Sequence, residues 1–298
     1  SAMVQIHGDL ILCVGGDMNP TEGHLGGLFK LNPTSPQGVA PIIMGLHRPV
    51  DFAYEDFNQD GVKDYLIAEF GFETGEISYF DGKSKKKNTL STLPCARNFV
   101  LRDVNKDGLL DFYVLLAQAR ERVSLFKNKG NGQFEEVEQI NLPSYYGTSS
   151  LEMADLDQDG KEEILLPMGD NADYSYCKKN YHGVRIYKQT VENHWKEVKF
   201  FPIYGATTVL SGDFNNDGRI DFAASSNFVE EEFRDSETFI YFINKGKMQF
   251  DLKHIKLPKI NPLTMSIGEV NGKKELFLGN WQFAAMPLKG IRIPIQIQ

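Results

Sequence analysis

Four stretches of the chain place oxygen-bearing side chains at alternate positions around a glycine. Asp56, Asn58, Asp60 and Asp64 form the first set, and Asp103, Asn105, Asp107 and Asp111 the second. Asp155, Asp157, Asp159 and Glu163 form the third, and Asp213, Asn215, Asp217 and Asp221 the fourth. In each set the sixth residue is glycine, and the seventh (Val62, Leu109, Lys161 or Arg219) offers its backbone carbonyl. Side-chain oxygens at positions 1, 3, 5 and 9 with a carbonyl at 7 are hard ligands. They suit Ca²⁺, which accepts about six to eight oxygens in a flexible geometry and tolerates Asp/Asn mixtures. Mg²⁺ demands a stricter octahedron, and zinc prefers nitrogen and sulfur. The helical EF-hand is excluded, because Ile67, Val114, Leu166 and Ala224 stand where its twelfth-position glutamate belongs. The expectation is about four structural Ca²⁺ sites, since protein fills every ligand position and none is open to a substrate. Thirteen ligand carboxylates on four short loops would otherwise raise one another's pKa values. The third set carries one more formal negative charge than its siblings.

A second group of residues could bind rather than chelate. Asp170, Asn171, Asp173, Tyr174, Tyr181 and His182 share one 13-residue stretch, and Tyr145, Tyr146 and Tyr204 lie in short Gly/Pro-bounded connections. Glu69, Gln118, Asn280 and Trp281 stand at or just beyond the ends of apolar runs. Aromatic rings among carboxylates and amides suit a carbohydrate, whose C–H faces stack on rings while its hydroxyls take the polar groups, or a peptide. A connection as long as 170–182 is usually functional or disordered, and its aromatic content favours order. The plainer alternative is that the tyrosines cap sheet edges and His182 is a structural hydrogen-bonder. No G-x-S-x-G, H-E-x-x-H or Cys/His constellation occurs. The carboxylates keep a carbohydrate-active enzyme, a glycoside hydrolase or polysaccharide lyase, as the alternative to a binding module.

The elements that position these residues repeat. The acidic sets begin at 56, 103, 155 and 213, so successive starts lie 47, 52 and 58 residues apart. One such loop could be an Asp-Gly hairpin. Four at this period, each followed by an apolar run, mark a repeat architecture. Two degenerate copies, "HGDLILCVGGD" and "SIGEVNGKKELFLGNW", flank them. Between loops, each unit offers four short segments rich in Val, Ile, Phe, Tyr and Leu, punctuated by Gly, Asn, Asp and Pro. None holds a helical period beyond two turns. Four strands per unit, repeated, make an all-β fold of β-propeller type.

The acidic loop with its following strand resembles the FG-GAP (VCBS-type) repeat of integrin α-subunit propellers and many secreted bacterial proteins. The segment "GDNADYSYCKKNYHGVRIY" is similar to a bacterial subgroup of that family. The resemblance implies a single propeller domain over 1–298, with the loop joining the first and second strands of each blade. It implies four-stranded blades near 4–45, 48–94, 96–141, 147–201, 205–257 and 262–298. Six is the count, with the last blade about a strand short, and seven stays open for a longer natural chain. It further implies an extracellular or periplasmic, calcium-stabilised binding module whose glycan or protein ligand sits on the face opposite the calcium loops.

Composition excludes some classes. With 41% hydrophobic and 24% charged residues the chain has ample material for a core. A net charge of −8 with scattered Lys and Arg argues against nucleic acid. No apolar run reaches the ~18 residues of a membrane span. The three cysteines have neither metal spacing nor the numbers for a disulfide scaffold. The opening Ser1-Ala2-Met3 reads as an expression remnant, so the missing signal peptide leaves export open.

Overall fold

The apolar runs after the four acidic loops are strands buried on both faces. Asp64–Glu69, Asp111–Leu116, Glu163–Met168 and Asp221–Ser226 each have all six residues buried. Near-continuous apolar sequence produces this, because a strand covered on both sides has no polar face to alternate with. Each opens on the ninth residue of its loop. This computed structural model describes residues 3–6, 9–16, 22–32, 38–169, 178–227, 229–258, 260–271, 273–280 and 291–294.

Each buried strand is second in an antiparallel sheet of four, in simple chain order. One sheet takes Pro49–Glu55, Asp64–Glu69, Glu76–Phe80 and Lys87–Ser91. The next takes Ala96–Arg102, Asp111–Leu116, Arg122–Asn128 and Phe134–Asn141. Then come Glu152–Ala154, Glu163–Met168, Gly183–Val191 and His194–Pro202, and Ala206–Gly212, Asp221–Ser226, Phe239–Asn244 and Phe250–His254. The degenerate copies also form sheets: Met3–Ile6, Asp9–Val14, Gly26–Leu31 and Val39–Leu46 at one end, and Pro262–Val270, Lys273–Asn280 and Ile291–Pro294 at the other. Among the described residues the last sheet has three strands. The fourth strands are the exposed edges and carry the charge, as in Glu135, Glu136 and Glu138 or Lys196, Glu197 and Lys199, which discourages edge-to-edge pairing.

The chain divides into two compact units, Ser1–Asn141 and Leu142–Gln298, with three sheets in each. The core of the first gathers Phe57, Leu66, Phe112, Val114 and Phe126. Phe112 and Phe126 are cross-strand neighbours whose rings stack at 4.7 Å. In the second unit Phe222 and Phe242 hold the same register and stack at 4.2 Å. The repeat therefore preserves packing as well as loop chemistry. The short helix Arg234–Glu237 lies in the connection between the second and third strands of its sheet. Cys13 and Cys95 are buried thiols, and Cys177 lies outside the described residues.

Candidate functional site

All four acidic loops join the first strand of a sheet to its second, and they share one set of hydrogen bonds. The first-position aspartates (Asp56, Asp103, Asp155, Asp213) accept the N–H of the fifth residue on Oδ1 at 3.1 Å and that of the glycine on Oδ2 at 2.9 Å. The fifth-position aspartates (Asp60, Asp107, Asp159, Asp217) accept the seventh N–H at 2.8–2.9 Å. In three copies Asn58, Asn105 or Asn215 also accepts the fifth N–H on Oδ1. The glycines (Gly61, Gly108, Gly160, Gly218) sit at φ +83 to +86°. No neighbour comes within 4 Å of a Cβ at Gly61, Gly160 or Gly218, so backbone conformation and not space demands glycine. The carbonyl-bearing residues Val62, Leu109, Lys161 and Arg219 follow directly.

The ninth residue ties the loop to its sheet. Asp64, Asp111, Glu163 and Asp221 are fully buried. One oxygen of each accepts the N–H of the loop's second residue, from Phe57, Val104, Leu156 and Phe214 at 2.8–3.1 Å. In three copies the other oxygen accepts an N–H from the end of the third strand or just beyond it: Gly82 at 2.8 Å, and Asn128 and Asn244 at 2.7 Å. Burial pushes all four carboxyls above the usual range, with neighbouring carboxylates adding to the rise. A bound cation would reverse that, and the ligand atoms of Asp155, Asp157 and Asp159 lie within 4.8 Å of one another. The donor set therefore fits a hard cation.

Asn128 and Asn244 were missed in the sequence. Each is buried, and its Nδ2 donates to the loop of its own sheet (Leu110 O at 3.2 Å, Ile220 O at 2.9 Å). The same amide donates to the loop of the preceding copy (Phe57 O at 2.9 Å, Leu156 O at 2.7 Å). Adjacent loops also touch, through Gln59 Nε2 to Gly108 O and Gln158 Nε2 to Gly218 O. A repeated Asn-Lys-Gly at 128–130 and 244–246 was the available signal.

At the far end of Glu163–Met168 from its acidic loop, five rings from three separate segments meet. Tyr145 lies 5.2 Å from Tyr146 and 5.1 Å from Tyr181 between centroids, and Tyr146 stacks on Tyr181 at 5.9 Å. Tyr181 continues to His182 at 5.2 Å, and His182 to Tyr204 at 5.3 Å. Tyr145 is 56% exposed, while His182 and Tyr204 are buried. The guanidinium of Arg185 supports the cluster from beneath, 4.6 Å from the Tyr146 ring, and pairs with Glu197 at 2.8 Å. Burial lowers the His182 pKa to about 4, and its Nδ1 accepts the N–H of Gly205 at 3.3 Å. The imidazole is thus a neutral structural acceptor at neutral pH.

The other candidates stand apart. Glu69 is fully buried and accepts from His47 N at 2.8 Å, from Ser78 Oγ and from Lys87 Nζ at 3.3 Å. Lys87 also pairs with Glu76, so one ammonium serves both carboxylates. Gln118 is exposed and, with Phe72, Leu93, Cys95 and Arg120, lines an open cleft of ≈ 540 Å³. Asn280 ends its strand. Asp170, Asn171, Asp173, Tyr174 and Trp281 lie outside the described residues.

Residues 103–166 match the FG-GAP-like repeat family. No curated protein matches the chain. Among solved structures, a chain of a nidogen/laminin complex superposes with TM-score 0.52 at 8% identity, over 92% of this chain and 86% of its own. A protein from Lactobacillus plantarum gives 0.52 at 11% identity, over 95% and 82%. A fungal alcohol oxidase in complex with copper gives 0.53 at 10% identity, over 93% of this chain and 58% of its own. At these identities the likeness is one of fold. Joined to the acidic loops and the sheet built on each, the match over 103–166 places an FG-GAP-like repeat within an all-β fold of four-stranded antiparallel sheets that is consistent with a propeller.

Proposed function

We propose that the protein is a calcium-stabilised, six-bladed propeller working outside the cytoplasm as a binding module for a glycan or protein ligand, and that the glycan is the better fit. The observation that carries this reading is the tyrosine cluster at one sheet end, in which Tyr145 is exposed and Tyr146 and Tyr181 are half-buried beside it. Rings presented edge and face to solvent on a rigid sheet end offer a sugar stacking area at little entropic cost. Loops on rigid scaffolds are the usual seat of binding. The acidic loops would hold Ca²⁺ through Asp56, Asn58, Asp60 and the carbonyl of Val62, and through their counterparts in the second and fourth copies, the third loop being distinct. The ion would supply charge compensation and rigidity. Chemistry on a ligand has no place there, because the loops and the tyrosines lie at opposite ends of the sheet. The long 170–182 connection, with Asp170, Asn171, Asp173 and Tyr174, would contribute polar partners for sugar hydroxyls.

The test is a glycan array probed in calcium, followed by Tyr145→Ala. Expected is binding to a restricted glycan set that the substitution weakens at least tenfold without lowering the melting temperature. Absence of any glycan binding, or an unaffected Tyr145→Ala, would refute the glycan reading and leave the protein ligand.

A further inference from the structure

The third acidic loop departs from its siblings at several places together. Asp157 replaces asparagine and Glu163 replaces aspartate, so the loop carries four ligand carboxylates where the others carry three. The third strand of its sheet lacks the Asn-Lys-Gly ending and reads Lys188-Gln189-Thr190. Ile164 pairs with Tyr187, which brings the following residue, Lys188, alongside Glu163. Its ammonium bonds Asp157 Oδ2 and lies 2.8 Å from Asp159 Oδ2 and 3.3 Å from Glu163 Oε1. It reaches residues 3, 5 and 9 of one loop, all of them in the ligand set.

Among the described residues, no ammonium or guanidinium reaches three ligand carboxylates at any of the other three loops. There the second oxygen of the ninth residue accepts a backbone N–H from Gly82, Asn128 or Asn244. The residues in register with Lys188 are Asp81, Lys127 and Ile243. Lys127 is paired across the sheet with Glu135. Lys83 approaches Asp60 only at 3.7 Å, and Arg219, whose Nε donates to Asn244 O at 2.8 Å, reaches one ligand carboxylate, Asp217.

We propose that Lys188 is the resident cation of the third loop, its ammonium taking the place that Ca²⁺ takes in the other three. This rests on the calcium reading of the siblings. A tethered ammonium competes at a high effective concentration, and Ca²⁺ must break three carboxylate contacts to enter. The third loop is therefore closed to calcium at concentrations that fill its siblings, with an affinity at least tenfold weaker. The consequence is local. The sheet that leads into Tyr181 keeps a charge-compensated loop when calcium is withdrawn, so the tyrosine surface stays built while neighbouring loops loosen.

The test counts tight Ca²⁺ sites by native mass spectrometry and calorimetric titration in wild type, Lys188→Met and the control Lys127→Met, with melting in chelator as a second readout. Expected counts are three, four and three, and Lys188→Met should melt lower than wild type in chelator and recover in calcium. Lys188→Gln, purified in calcium, serves if the methionine variant does not fold. Four equivalent sites in wild type, or an unchanged count in the variant, would overturn the proposal. If no protein binds calcium tightly, the calcium reading fails by itself. Lys188 is then judged by chelator melting, where a lower value for Lys188→Met supports its cationic role and an unchanged value overturns it.

Discussion

Asn244→Ala removes three hydrogen bonds from a fully buried side chain. Nδ2 gives up Leu156 O at 2.7 Å and Ile220 O at 2.9 Å, and Oδ1 gives up the N–H of Gly246 at 2.8 Å. The backbone bond from Asn244 N to Asp221 survives. At a net ~1 kcal/mol per bond the loss is about 3 kcal/mol, and it rises if the two carbonyls and the amide stay dry and unpaired. We expect about 3–4 kcal/mol. For a cooperative unit of this size that is roughly 6–16 °C in melting temperature at 2–4 °C per kcal/mol. Asn128→Ala breaks the equivalent set, with one longer bond at 3.2 Å, and should cost slightly less. Gln189 holds that register in the third copy, and Gln189→Ala should stay within about 0.5 kcal/mol. Urea unfolding and calorimetry in saturating calcium measure all three. If both asparagine variants fall within about 1 kcal/mol of wild type, the amides do not clamp neighbouring repeats.

Three further expectations concern single residues. Gly61→Ala meets no neighbour yet must hold φ +86°, so it should cost about 1–2 kcal/mol, read by urea unfolding, from backbone strain alone. His182 titrates near 4 when folded and near 6.5 when unfolded. The unfolded chain therefore binds more protons between those values, and this contribution to stability, complete above pH 6.5, is lost as pH falls toward 4. Melting followed from pH 7.5 to 4 should show that slope, and His182→Gln should flatten it. Glu69→Ala leaves His47 N–H and Ser78 without this buried acceptor and Lys87 with Glu76 alone, and should destabilise by about 3 kcal/mol in urea, Glu69→Gln by less.

The sheets were legible because their cues are local. Apolar runs such as Asp111–Leu116 and turn residues such as Gly108 act within a few residues of themselves, so strand positions could be read one unit at a time. The acidic loops were legible because ligand spacing is also local. Partners brought by folding were harder to read. Nothing near Asn244 in sequence announces Leu156, 88 residues away. Glu69 reads as a free carboxylate until His47 and Lys87 are seen to consume it. Tyr145, Tyr146, Tyr181 and Tyr204 could be grouped beforehand because repeat topology sends their connections to one sheet end. The support from Arg185 could not, since its side chain chooses between solvent and ring only after the fourth strand supplies Glu197.

The ninth residue explains why loop and sheet form one unit. A carboxylate that only chelated could remain at the surface, as residues 1, 3 and 5 do. Asp111 instead lies buried between two N–H donors, one from its own loop and one from the third strand. Loop conformation is thereby set by the sheet before any ion arrives. The backbone bonds that shape the loop draw on Asp103 and Asp107 oxygens that keep further lone pairs. The sheet end is therefore preorganised for a cation. The buried carboxylates cost the folded state their desolvation, which a nearby positive charge offsets. In three copies no lysine or arginine of the described residues pairs with the ninth carboxylate, and on the calcium reading an ion would supply that charge. In the third, the chain supplies Lys188 itself, on the sheet that leads into the tyrosine surface.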